Sequence, residues 1–297
     1  MIGCAIIRTA IESDTRNQSD YSPSSQSARI LMNQEQLKQS AGILALARVR
    51  NQVIDGLPDE YRPAVVAEAY RVQEQLHSLL DEAGYGKRVG YKIGCTTPVM
   101  QKFLGIDTPC AGGVFNTSTN YIATSAQYQN FSHPGVECEI ACFIGSDLVP
   151  AKDGSAFTRD SVAPAVQALF GAIEIVDDRW TDYKAVDTPT LIADDFFASG
   201  IVLSQPLPTV DAPDLTSAIG HMTINGKRVG EGTTGDILGH PYEALAWLAN
   251  SLAARDKHLR AGEVVMLGSV VETQWVMPDD EVQIDIEGVG GALVKFV

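Results

Sequence analysis

Glu137 and Glu139 stand one residue apart in GVECEIACF (residues 135–143), a run that is otherwise apolar. Side chains alternate faces along a strand, so both carboxylates project to one side while Val136, Cys138 and Ile140 fill the other. An isolated pair of this kind is most simply a solvated face. Two features oppose that reading. The glutamate face continues through Ala141 and Phe143, and a third acid, Glu174, lies in the equally apolar strand AIEIV (172–176). Three carboxylates on buried strands repel one another and shift their pKa values upward unless a cation sits among them. A hard divalent ion, Mg2+ or Mn2+, takes oxygen ligands and keeps positions open for a substrate. Asp178 shares the face of Glu174 if that strand continues and is the second choice as ligand; Asp177 points away.

Lys92 in GYKIG (90–94) is a lone lysine in a short apolar strand hemmed by glycines. By itself it reads as a packed stem with its ammonium in water. Beside an acidic metal cluster it becomes a carboxylate anchor or a proton-transfer group. His240 precedes Pro241 and reads as a helix cap. The run GEGTTG (230–235) lacks the setting of a phosphate cradle and is read as a loop. No Gly-x-Ser-x-Gly elbow occurs, and the cysteines have no obvious histidine partner, which disfavours covalent catalysis. Cys138 and Cys142 read as core thiols.

These groups need a scaffold. Asn33 to about Ile54 carries apolar residues at helical spacing with Asn33 as cap, and a second helical stripe runs from Pro63, in the first helical position, to a stop at Gly84. After residue 88 the pattern becomes strands at 89–94, 136–144, 172–176, 200–203, 264–267 and 281–286, with an Asn225-Gly226 hairpin, one amphipathic helix from Pro241 to about Leu259, and a closing segment 292–297. The class is α+β, and the chain divides into a polar, Ser-rich arm (1–31), a helical region (32–88) and a β-rich domain (89–297).

With 297 residues, 37 acidic against 22 basic side chains and a net charge of -15, the chain has an ordinary globular composition and no basic patch, which excludes nucleic acid as a partner of choice. No apolar run is long enough to span a bilayer, and the N-terminus has no basic region preceding an apolar one, so neither a membrane span nor a signal peptide is expected. Five cysteines without a CxxC pair suit a reducing cytoplasm.

Taken in order, GYKIGCTTPVMQKFLGIDTP (90–109), VECEIA (136–141), AIEIVDDRW (172–180), GEGTTGDILGHP (230–241), EALAWLANSLA (243–253), LRAGEVVMLGSVV (259–271) and EVQIDIEGVGGALVKF (281–296) resemble the hydratase and decarboxylase branch of the fumarylacetoacetate hydrolase superfamily. The resemblance implies a rolled mixed β-sheet with helices packed outside, and an oligomeric assembly. It places Mg2+ or Mn2+ on Glu137, Glu139 and Glu174, proton handling on Lys92 and at the position of Cys110, and substrate contacts on Lys92, Arg179 and Ser269. It implies a small 2-oxo acid substrate, with hydration of a 2-hydroxy-2,4-dienoate as the leading activity, decarboxylation of a 4-oxalocrotonate-like diacid as the alternative, and a non-catalytic partner subunit as the third. Three departures stand out. Cys110 replaces an aspartate frequent in the hydratases, Asp195 stands where asparagine is common, and Val271-Glu272-Thr273-Gln274-Trp275 replaces a run of small residues, which implies an altered substrate pocket.

Overall fold

A computed structural model describes residues 31–97, 101–102 and 106–297. The expected arm therefore lies outside the described residues except for Leu31. The chain forms two compact units, one of residues up to Gly86 together with Arg179–Asp195, the other of Lys87–Asp178 and Phe196–Val297.

In the first unit, helix α1 (Gln34–Val49) starts at Asn33, whose side chain accepts from the Gln36 amide while the Gln36 side chain accepts from the Asn33 amide. The expected continuation to Ile54 does not occur. Asn51 turns left-handed (φ 49°), and the Gln52 and Asn51 amides donate to the carbonyls of Ala47 and Arg48, which closes the helix. Helix α2 (Val66–Leu80) begins three residues after Pro63 rather than on it, because Val65 is extended and the Glu68 carboxylate takes the Ala64 amide at 2.7 Å. Its last turn widens through Asp81–Tyr85 and stops at Gly84 (φ 95°). Leu37, Ala41 and Leu44 of α1 and Val72, Leu76 and Leu80 of α2 are buried. Residues 179–195, inside the 89–297 span by sequence, are grouped with this unit. Ile54 bridges Trp180 in parallel, and helix α3 (Thr188–Ala193) packs on α2.

The second unit holds two sheets. Its strands in chain order are β1 (Arg88–Gly94), β2 (Cys110–Phe115), β3 (Thr119–Tyr121), β4 (Ala123–Ala126), β5 (Pro134–Ile144), β6 (Val166–Asp177), β7 (Ala198–Leu203), β8 (Leu207–Pro208), β9 (Ile219–Ile224), β10 (Lys227–Thr233), β11 (Val264–Ser269), β12 (Gln274–Trp275), β13 (Glu281–Ile286) and β14 (Gly290–Phe296). The nine-stranded mixed sheet runs β2-β1-β11-β5-β6-β7-β3, with β12 beside β5 and β8 beside β6; the other sheet runs β10-β9-β13-β14-β4. Within the larger sheet Val114, Ala141, Phe170, Ile201 and Met266 form one buried cluster. The sheets approach so closely at Gly171 of β6 that a Cβ there would lie 1.9 Å from the Gly290 carbonyl oxygen of β14. This is the expected mixed-sheet architecture with a helical N-terminal segment.

The hairpin turns at Asn225 (φ 52°) and Gly226 (φ 76°), as its dipeptide requires. Helix α4 (Pro241–Ala253) is capped by His240, whose Nδ1 accepts from the Tyr242 amide at 3.0 Å, and ends before the expected Leu259. The run 230–235 is no loop at its start, because Gly230 and Gly232 continue β10. A Cβ on Gly232 would lie 1.9 Å from the Val270 carbonyl oxygen, so only glycine lets this strand come so near. Among the described residues no helix is long and apolar enough to cross a membrane.

Candidate metal centre

Strand register builds the site. Glu137 of β5 lies directly opposite Glu174 of β6, and Glu139 lies opposite Ala172 on one side and Ser269 of β11 on the other. One ligand oxygen from each of Glu137, Glu139 and Glu174 falls within 4.8 Å of the others. Glu139 and Glu174 are each 1% exposed, whereas Glu137 is partly buried at the open end of the cluster. The intervening Cys138 turns to the other face and is fully buried, as core packing requires.

Lys92 enters from β1, two strands away from β5, where it is registered with Met266 of β11. Its Nζ stands 3.1 Å from Glu174 Oε1 and is itself buried. The contact is an ion pair without hydrogen-bond alignment, and both Glu174 oxygens are buried with no aligned donor. Glu139 Oε2 accepts from the Gly268 amide at 3.1 Å, and Glu137 Oε1 accepts from the Thr273 hydroxyl. Three carboxylates against one ammonium leave two negative charges uncompensated in a buried space.

The titration behaviour follows from that imbalance. Burial, then the charge of Glu174, pushes the Glu137 carboxyl up to about 7 against the pull of Lys92 and Thr273. Burial and the other two acids raise Glu139 well above the usual carboxylate range. Burial would lower Lys92, but Glu174, Glu137 and Glu139 outweigh it and hold the ammonium above its ordinary value. The donor set fits a hard divalent cation: it is all oxygen, it includes a carboxylate without aligned donors, and its surplus charge equals that of the ion.

The remaining site residues of the sequence reading fall as follows. Cys110 begins β2 opposite Gly94, two positions from the residue paired with Lys92, and is buried beside Cys95; that contact and burial keep its thiol protonated. The Ser269 hydroxyl lies 3.1 Å from the Cys138 carbonyl and 2.7 Å from that of Val271. Arg179 belongs to the first unit, where its Nε donates to Asp194 Oδ2 at 2.9 Å and its charge is committed. Asp178, the alternative ligand, sits outside the three-acid cluster with Oδ2 4.0 Å from His133 Nδ1.

Sequence reasoning missed three contributors. Phe196 places its ring 5.1 Å from Lys92 Nζ, and a Cβ on Gly94 would lie 2.8 Å from that ring, so the glycine admits the aromatic cover. The Gly268 amide and the Thr273 hydroxyl are the other two. Phe196 and the Gly268 amide carry no local signal, and Thr273 stands in the departing run 271–275, where the sequence alone assigns it no role. Phe196 lies in a stretch of three consecutive left-handed residues, Asp195 (φ 62°), Phe196 (φ 49°) and Phe197 (φ 66°), a strained conformation that no propensity would assign.

Comparison with known proteins places the chain in a family. Residues 113–297 match the family model described as fumarylacetoacetate (FAA) hydrolase C-terminal. The chain is 32% identical to 2-hydroxyhexa-2,4-dienoate hydratase of Comamonas testosteroni over 81% of its own length and 89% of the relative, and 31% identical to 2-keto-4-pentenoate hydratase of Paraburkholderia xenovorans (strain LB400) over 89% and 96%. It is 27% identical to 4-oxalocrotonate decarboxylase of Pseudomonas putida over 90% and 98%. In fold it is similar to the structure of 4-oxalocrotonate decarboxylase from Pseudomonas putida G7 complexed with magnesium and adipate, with a TM-score of 0.83 at 24% identity over 90% of this chain and 99% of that one.

Proposed function

The chain belongs to the fumarylacetoacetate hydrolase family, and from that premise we propose that it is a divalent-metal-dependent lyase that adds water to a 2-hydroxy-2,4-dienoate, giving a 4-hydroxy-2-oxo acid. The observation that carries this reading is the buried cluster of Glu137, Glu139 and Glu174 with Lys92 against it. The three glutamates are the groups that would hold Mg2+ or Mn2+. When bound, the cation supplies a Lewis acid that stabilises negative charge on the substrate's 2-oxygen.

The chain's own groups do the rest. Lys92, held protonated by the three acids, offers a charged donor at Nζ that orients the substrate carboxylate or first delivers a proton to the diene carbon, after which the neutral amine takes up the proton lost as the 2-hydroxyl becomes a ketone. Phe196 covers that ammonium and restricts water around it. Ser269, opposite Glu139 in the sheet, has its hydroxyl proton engaged by the Cys138 and Val271 carbonyls, so its substrate contact is through the hydroxyl oxygen as acceptor. Arg179 acts through Asp194 as a support of the first unit. We place the enzyme in the cytoplasm as a homo-oligomer; light scattering of the purified protein checks the assembly.

Decarboxylation of a 4-oxalocrotonate-like diacid is the second reading, favoured by one observation. Cys110 is buried and protonated where hydratases often carry an aspartate, so it supplies neither a negative charge nor a proton acceptor beside Lys92. Loss of dienoate absorbance against release of CO2, measured with Mg2+ and with Mn2+, separates the two. No turnover of either substrate would count against both and leave the idle-subunit reading, which the intact acid cluster opposes.

A further inference from the structure

Thr273 lies just before the short strand β12, and the sheet explains what that placement does. The two residues of β12 pair with β5 in antiparallel register, Gln274 with Val136 and Trp275 with Gly135. Extending the register by one step sets Thr273 opposite Glu137. Trp275 anchors the segment by stacking on His133, with ring centroids 4.2 Å apart and planes 11° from parallel. Gly135 lets it lie close: a Cβ there would come within 3.0 Å of both Thr273 Cγ2 and Trp275 Cε3. The outcome is a hydroxyl donated to Oε1 of Glu137.

Resting on the metal reading above, we propose that Thr273 is the positioning residue of the metal centre, fixing the carboxylate of Glu137 so that its second oxygen faces Glu139 and Glu174. The cluster is graded in this respect. Glu139 is oriented by a backbone amide, Glu174 by packing and Lys92, and Glu137, the partly buried member, by a side chain alone. A carboxylate at the open end of a site has the most rotamers to lose on binding an ion, so the group that orients it controls affinity. Loss of such an orienting partner costs about 10- to 100-fold in metal affinity.

The test uses Mn2+ alone with the full chain, following disappearance of the free-ion paramagnetic resonance signal, together with the melting temperature of the metal-free protein. Thr273→Val keeps the shape and removes the donor; it is expected to weaken Mn2+ binding by about 10-fold or more while the metal-free melting temperature stays close to that of the parent. Thr273→Ser is expected to restore affinity. Thr273→Ala provides the same loss should the valine variant fold poorly. Parental affinity in the valine and alanine variants, or failure of serine to restore it, overturns the positioning role and leaves the metal centre standing. Absence of Mn2+ binding in the parent overturns the metal reading and this inference together.

Discussion

Glu137 and Glu174 are directly opposed residues of two antiparallel strands, a placement in which like charges repel across a short gap. The sheet sustains the pair because Lys92 supplies one positive charge at 3.1 Å from Glu174 and because protons remain on the other acids until something displaces them. The cluster is a charged cage assembled at the expense of local stability, and that conflict makes its behaviour predictable.

Replacing Glu139 with glutamine removes one ligand charge and keeps the side chain's size. Mg2+ and Mn2+ binding should fall below detection in calorimetry while the fold survives, since the glutamine oxygen can still accept from the Gly268 amide and the side chain stays uncharged, as the protonated acid is in the metal-free protein. Unchanged affinity would sink the ligand assignment.

Metal affinity should rise with pH through neutrality. Glu137 titrates near 7 in the folded chain and its proton must leave before a cation binds, so protons are released on binding. The same raised value stabilises the metal-free fold below the ordinary carboxylate range, and this contribution is lost as pH climbs to about 7. The melting-temperature gain from Mn2+ should therefore be larger at about pH 7.5 than at about pH 5.5. A gain that is flat across this range contradicts the account.

Lys92→Met separates chemistry from metal binding. Turnover should drop by about 100- to 10,000-fold through loss of the proton-handling group. Affinity for Mn2+ should not weaken, because a positive charge beside the acids has been taken away. Weakened binding would assign Lys92 to the construction of the site instead.

In the first unit, Asp195 is fully buried and receives Arg48 at 3.0 Å and His77 at 2.6 Å. Asp195→Ala leaves the Arg48 charge without that partner and should destabilise the protein by about 3–5 kcal/mol, read from urea unfolding. Asp195→Asn keeps an acceptor and should cost less.

Gly171→Ala tests the contact between the sheets. Its new Cβ would lie 1.9 Å from the Gly290 carbonyl oxygen, a backbone atom that a rotamer change cannot move. A loss of about 1–3 kcal/mol or more is expected in thermal unfolding. A variant as stable as the parent would show that the sheets part more easily than their packing suggests.

Several elements were legible because their signals are local. The Asn33 cap, the Asn225-Gly226 turn and the His240 cap each depend on residues within a few positions, and each occurs as read. Helix ends were less legible. The stop at Asn51 uses a left-handed residue and two backbone bonds, while the apolar spacing runs on to Ile54. Strand β2 was missed because CAGGVF has two glycines and no alternation, although it is wholly buried beside β1.

The sequence by itself determined which faces the acids occupy, since strand alternation puts Glu137 and Glu139 on one side and Cys138 on the other wherever the strand goes. It also marked Lys92 and Glu174 as charged groups in apolar strands. Only the tertiary structure decided which of these meet. The register of β5 on β6 set Glu137 against Glu174, the order β1-β11-β5 brought Lys92 across, the two residues of β12 delivered Thr273, and three left-handed residues carried Phe196 over the lysine. Alternation is a property of one chain segment, whereas register is settled by the packing of segments far apart in sequence. A slip of one residue would leave every local pattern intact and turn the cluster to the opposite face.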